Sequence, residues 1–215
     1  MAADRPIDRA LLEAAIWGAA PTINGDFDLN PVDRSTLPLD RLRRPAAVLC
    51  ALAPRPHGYN VILTRRADHL KAHAGQVAFP GGKIDPADPS PMAAALREAE
   101  EEIGLPREQV EMLGPFDRYE TVSSFLVTPF IGIAHPAFQP IADDGEVAEV
   151  FETPLDFLMD PANCQRRSAT WKGEERHFYV YEWRGKNIWG ATAGMLKALS
   201  DRVEAVRRSG SRRRA

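Results

Sequence analysis

Reading the 215 residues in order predicts an α+β fold, a mixed β-sheet sandwiched between α-helices, and three observations carry that expectation. Strand-like runs dominate from residue 45 onward, helical periodicity interrupts them only twice, and the two patterns do not alternate as a doubly wound sheet demands. The length suits one substantial domain with an extension. An apolar fraction of 44% and a charged fraction of 27% are those of a globular protein, and no window approaches the roughly 20 apolar residues of a membrane helix. The first ten residues, MAADRPIDRA, carry acids and a proline where an export signal would carry an apolar core. A soluble, cytoplasmic protein with no membrane partner is expected. The two cysteines, Cys50 and Cys164, match neither a metal knuckle nor a redox pair.

Residues 1–44 read as an N-terminal extension, with Leu11, Leu12, Ala15 and Ile16 on one side of a short helix and then a loop rich in Pro, Asn and Asp. The run PAAVLCALA begins the sheet, with a strand over Ala46–Leu52 that buries Cys50 as a small hydrophobe. After the turn-like PRPHG come strands over Asn60–Thr64, near Val77–Phe79, over Met112–Tyr119 and over Val127–Ala134, and RHFYVYEWRG adds one over Arg176–Trp183. The first helix spans about Pro91–Ile103. The second spans about Thr192–Arg207, where Leu196, Leu199, Val203 and Val206 recur at helical spacing. The main domain is therefore placed at 45–206. Residues 207–215 carry five arginines and no acid, so the rest of the chain is more acidic than its net charge of -3 suggests. That tail is expected to be a solvated, disordered end, and without interleaved aromatic residues it gives no reason to expect nucleic acid as a partner.

The first helix holds the chemistry. Ser90 can cap its free amides, Pro91 suits its first position and Gly104 supplies the stop. At about 100° per residue, Met92, Leu96, Ala99 and Ile103 form an apolar stripe while Glu98, Glu101 and Glu102 share the opposite side. Like charges at these spacings repel, and they stand at the negative end of the helix dipole. Either a solvated face neutralised by Arg97 and other bases, or a divalent cation, must compensate. Mg²⁺ and Mn²⁺ favour carboxylate oxygens, and acids at i, i+3 and i+4 can reach shared ions.

The upstream residues favour the cation. FPGGKID, Phe79–Asp85, together with LREAEEEIGL, Leu96–Leu105, resembles the Nudix box of diphosphate hydrolases. The resemblance implies the Nudix fold and a loop, helix and loop that bind Mg²⁺ or Mn²⁺, with Gly82, Asp88, Arg97, Glu98, Glu101, Glu102 and Gly104 in the box positions. Two departures stand out: Asp88 replaces the usual glutamate, and the interval from Gly82 to Arg97 is one residue longer than standard. ILTRRADHLKAHAGQVAFPGG, Ile62–Gly82, resembles the signature that precedes the box in the coenzyme A diphosphatases of this family, whose members share both departures. Lys71 stands where that signature has a second arginine.

The metal ligands implied are the carboxylates of Glu98, Glu101 and Glu102 and the backbone carbonyl of Gly82, with Arg97 orienting a glutamate. The substrate-binding set is Arg65, Arg66, Lys71, Gly75, Phe79 and Gly81. The small-molecule substrate implied is of the coenzyme A class, a diphosphate with a 3′-phosphate. From charge alone, Arg65, Arg66, Lys71 and His73 lead cations toward the metal site, although the two arginines could equally end a strand and pair with surface acids. DDGEVAEVFETPL, Asp143–Leu155, supplies the candidate base, Glu146 with Glu149 as its alternative, and a Glu98 not fully engaged by metal could itself serve. Other nucleoside diphosphate-linked substrates, and a silent binding module, are the competing readings. Residues 1–44 could pack across a homodimer or cover the site.

Overall fold

A computed structural model describes residues 6–31, 43–171 and 173–212. Its centre is β2 (Arg44–Arg55), which pairs in parallel with β8 (Phe125–Ala134) from Arg44 opposite Phe125 to Leu52 opposite Ile133. β2 also turns back through a hairpin into β3 (Gly58–Arg66), but that antiparallel pairing ends at Leu52 opposite Val61. Beyond it the sheet opens. β4 (Val77–Ala78) pairs with Thr64 and Arg65 of β3, while β5 (Gly81–Lys83) pairs with Ala46–Val48 of β2. β9 (Val147–Pro154) runs along the other side of β3. A separate antiparallel sheet joins β10 (Gln165–Trp171), β11 (Glu174–Trp183) and β12 (Lys186–Trp189).

Alternation along β2 makes the sandwich. Ala47, Leu49, Ala51 and Ala53 point to one core with Ala94, Ala95, Ala99 and Ile103 of α3 (Pro91–Ile103). Ala46, Cys50 and Leu52 point to the other with Leu196, Leu199 and Val203 of α5 (Ala191–Arg212). Alanines on both partners of the α3 contact let the helix lie close to the sheet. Cys50 has no exposed surface, and burial pushes its thiol up to about 12, so it is a hydrophobe and not a reactive group.

Several boundaries depart from the sequence reading. The run Met112–Tyr119 divides into β6 (Val110–Pro115) and β7 (Arg118–Glu120), because a register shift between Met112 and Gly114 precedes Phe116 and Asp117, which leave the ladder. β9, β10 and β12 were not legible; residues 165–170 of β10, QRRSAT, are exposed and mostly polar and lack a buried face to set a period of two. A short helix, α4 (Leu155–Met159), follows β9. α5 passes the expected start of the tail at Arg207 and ends at Arg212, with Arg208 paired to Glu204 one turn back at 2.5 Å. Residues 213–215, and 32–42 of the expected N-terminal loop, lie outside the described residues. Among the described residues no helix is long and apolar enough to cross a membrane.

Residues ahead of β2 are built into the domain. α1 (Arg9–Trp17) sends Leu12, Ala15 and Ile16 into the α5 core, β1 (Ile23–Gly25) adds a parallel edge to β7, and the short helix α2 (Asp26–Leu29) follows. Arg202 of α5 holds this segment by donating to the carbonyls of Ala15, Ala19 and Ala20 at 3.1, 3.2 and 2.8 Å. It also pairs with Asp117 at 2.5 and 2.6 Å, and Asp117 in turn accepts from the Thr22 amide and hydroxyl. Burial alone would raise the Asp117 carboxyl, but Arg202 and Thr22 hold it below its usual range. A carboxyl depressed in the folded state stabilises above its unfolded pKa, and that contribution fades as the pH falls through the folded value. Arg202→Met should therefore cost about 3–5 kcal/mol in urea unfolding at pH 7, a difference that narrows below about pH 4.

Candidate active site

Local rules build α3 as the sequence requires. The Ser90 hydroxyl accepts from the Ala93 amide at 3.1 Å, Pro91 follows, and Gly104 closes the helix at φ 65°. The helix end has no basic residue of its own. Instead the loop before β9 caps it: the amides of Ile141 and Asp143 donate to the carbonyls of Ile103 and Glu102, each at 3.0 Å. The same loop is tied to the end of β3, where the Ala67 amide donates to the Glu146 carbonyl at 2.9 Å. Glu146 is thereby fixed in register with the glutamates of α3.

Two of those glutamates press on the glycine turn of β5. Glu102 is 3% exposed; its Oε2 accepts from the Gly81 amide at 3.3 Å and its Oε1 lies 3.5 Å from Arg66. A second Arg66 nitrogen lies 3.6 Å from Glu146, so one guanidinium spans both acids. The Glu98 carboxylate rests against Gly82, where a methyl group would come within 2.5 Å of Oε1. A methyl group on Gly81 would meet the Ala47 carbonyl at the same distance, so this turn accepts no side chain at either position. Burial pushes the Glu102 carboxyl up to about 8, with the charges of Glu98 and Glu146 adding to the rise and the Gly81 amide and Arg66 opposing it. Glu98 is raised as well, again chiefly by burial.

Arg97 gathers the other side of the box. It meets Asp88 through two nitrogens at 3.1 and 3.0 Å, Glu98 at 3.0 Å, Glu101 at 2.9 Å and the Lys83 carbonyl at 3.3 Å. Its hydrogen bonds hold the Asp88 carboxyl below its usual range. Asp88 also accepts from the Asp85 amide at 2.8 Å, so in this longer box it closes the loop and anchors the arginine. Glu101 is exposed and drawn to Arg97. As placed, no three His, Cys, Asp or Glu side chains among the described residues converge to hold an ion, because Arg97 and Arg66 each draw acids to themselves. The donors are nonetheless all oxygens, two of them on carboxylates lifted by burial and mutual repulsion. That set suits a hard divalent cation that displaces part of the arginine contact.

The remaining residues separate by face. Ile62 packs beneath α3 and Leu63 beneath α5; Arg66 follows the first, and Arg65 and its partner Glu149 the second. Glu149 therefore faces away from Glu98 and Glu102, bound by Lys186 at 2.5 Å and lying 3.7 Å from Arg65. Of the two candidate bases, Glu146 alone reaches the box. Phe79, expected against substrate, is 2% exposed and sits in the core, so it seats the Pro80–Gly82 turn instead. Lys71 is exposed on the loop after β3, and Gly75 holds that loop with φ 68° and an amide donated to the Arg66 carbonyl at 3.1 Å. Lys186 escaped the sequence reading. It follows the Arg184–Gly185 turn, and only the folded sheet brings it to Glu149.

Residues 42–183 match the NUDIX domain family. A protein described as uncharacterized Nudix hydrolase NudL, from Photorhabdus laumondii, is 38% identical over 161 residues, 75% of this chain and 86% of that one. Its counterpart from an Enterobacter species is 42% identical over 166 residues, 74% of this chain and 82% of that one. The crystal structure of a NUDIX hydrolase from Alicyclobacillus acidocaldarius shares the fold at a TM-score of 0.50 and 22% identity, over 74% of this chain and 91% of that one.

A carboxyl raised in the folded state binds its proton more tightly there, so it favours folding at low pH and disfavours it as the pH rises from about 4.5 to about 8. In chelator-stripped protein, Glu102→Gln should therefore raise stability at pH 8 by roughly 1–3 kcal/mol and leave it little changed at pH 5, as read by urea unfolding. Equal effects at both pH values would contradict the account of Glu102.

Proposed function

The chain belongs to the Nudix hydrolase family, and on that premise we propose that it hydrolyses the diphosphate of coenzyme A or its acyl derivatives with Mg²⁺ or Mn²⁺. The products are 4′-phosphopantetheine, or its acyl form, and 3′,5′-ADP. Members of the family act on diphosphate bonds and generally use divalent metal ions. The observation that carries the coenzyme A assignment is the run LTRRADHLKAHAGQVAFPGG, which leads from β3 directly into the glycine turn beneath Glu98 and Glu102.

Hydrolysis requires an in-line water, neutralisation of the phosphate oxygens and a proton acceptor. Glu98, Glu101 and Glu102 would hold the cation, joined by the Gly82 carbonyl, and when bound it supplies phosphate neutralisation and a more acidic water. Arg97 orients Glu98 and Glu101 from the flank, anchored by Asp88. Glu146 takes the proton, because the loop that caps α3 holds it beside the carboxylates. Arg66, lying between Glu102 and Glu146, is placed to turn its charge to an incoming phosphate, and Lys71 and the Gly75 loop border the approach.

Glu98→Gln and Glu102→Gln should each lower metal-dependent turnover by about 10³-fold or more without unfolding the protein. Coenzyme A, ADP-ribose, NADH and dinucleoside polyphosphates should be compared with products resolved. Release of 3′,5′-ADP from coenzyme A at the highest kcat/KM is the expected result, and a clear preference for ADP-ribose would overturn the substrate assignment.

A further inference from the structure

We infer that Arg65 and Lys186 form a second anion site, on the sheet face opposite the box helix, that takes the phosphomonoester of the substrate. For coenzyme A this is the 3′-phosphate, so the inference rests on the function proposed above. The two cations come from different sheets, Arg65 from β3 and Lys186 from β12, and converge on one atom, Oε2 of Glu149. That single oxygen satisfies Lys186 at 2.5 Å but leaves the Arg65 Nε at 3.7 Å, beyond hydrogen-bond length. A phosphate, with three oxygens to offer, can meet both at once.

The surroundings fit such a ligand. The side chains of Arg65, Lys186 and Glu149 are 29%, 30% and 37% exposed, so solvent screens the cluster only in part and a ligand can still reach it. Lys186 stands 5.6 Å from the Phe151 ring, and Arg65 is also paired with Asp68 at 2.8 Å. Asp68 is 76% exposed, so its hold on Arg65 is weak. Arg65 lies opposite Val77 of β4, the strand that runs on to Gly82, and next to Arg66 at the metal site. One extended substrate can therefore pass around the end of β3 with its diphosphate at the glutamates and its phosphomonoester at Arg65 and Lys186. Glu149 holds that place until the anion displaces it.

The test compares coenzyme A with dephospho-coenzyme A, which lacks only the phosphomonoester. Lys186→Gln should lower the ratio of kcat/KM for the two compounds by about tenfold, the worth of one charge-assisted contact, mainly through KM for coenzyme A, and Lys186→Arg should restore it. Glu149→Gln should raise the ratio. A ratio unmoved by Lys186→Gln, or a loss shared equally by both compounds, would reduce the cluster to an ion bridge between two sheets and overturn the inference. A wild-type protein that cleaves neither compound overturns the proposed function and this site with it.

Discussion

The Glu102 carboxylate stands where almost no water reaches it, with the charges of Glu98 and Glu146 adding to the cost of its ionisation. Much of the neighbouring structure answers that burial. The Gly81 amide and Arg66 supply partial compensation, and Arg97 draws Glu98 and Glu101 toward the flank. Neither arginine removes the repulsion, because each is shared among several acids. The arrangement is one that a cation of double charge and oxygen preference completes.

That concentration of charge needs precise backbone support. The sheet opens between β2 and β3 so that β5 can bring Gly81 and Gly82 under α3. Alanines on β2 and α3 let the helix approach, and the absence of side chains on the turn leaves room for Glu98 and for the amide that meets Glu102. The loop carrying Glu146 replaces solvent at the end of the helix, so the candidate base and the candidate metal ligands share one set of backbone hydrogen bonds. The pair of Arg202 with Asp117, on the other side of the sheet, joins α1 and the segment after it to the last helix.

Much of this was readable from the residues, and the pattern of failures has a physical cause. α3 was legible to its ends, because a serine cap, an N-terminal proline, a glycine stop and a helical apolar stripe are all local signals. The glutamate cluster and the glycine turn were legible for the same reason, being short motifs at fixed spacing. What depends on pairing across the sheet was not. Glu146 and Glu149 are three residues apart in similar sequence, yet one meets the box while the other faces Arg65, and only the loop bonds that hold Glu146 and the register of β9 on β3 decide which. Lys186 and Arg202 make their contacts 37 and 85 residues away in sequence, beyond any local signal. Phe79 was read as touching substrate because it stands in a substrate motif; its ring turns inward because the turn after it needs an anchor in the core.

Calorimetric titration of Mg²⁺ and Mn²⁺ into chelator-stripped protein shows whether the buried glutamates hold a cation. At least one ion should be taken up per chain, tighter at pH 8 than at pH 6 because the carboxylate of Glu102 must ionise to bind. No uptake of either ion at pH 8, with or without coenzyme A present, would contradict a cation site there.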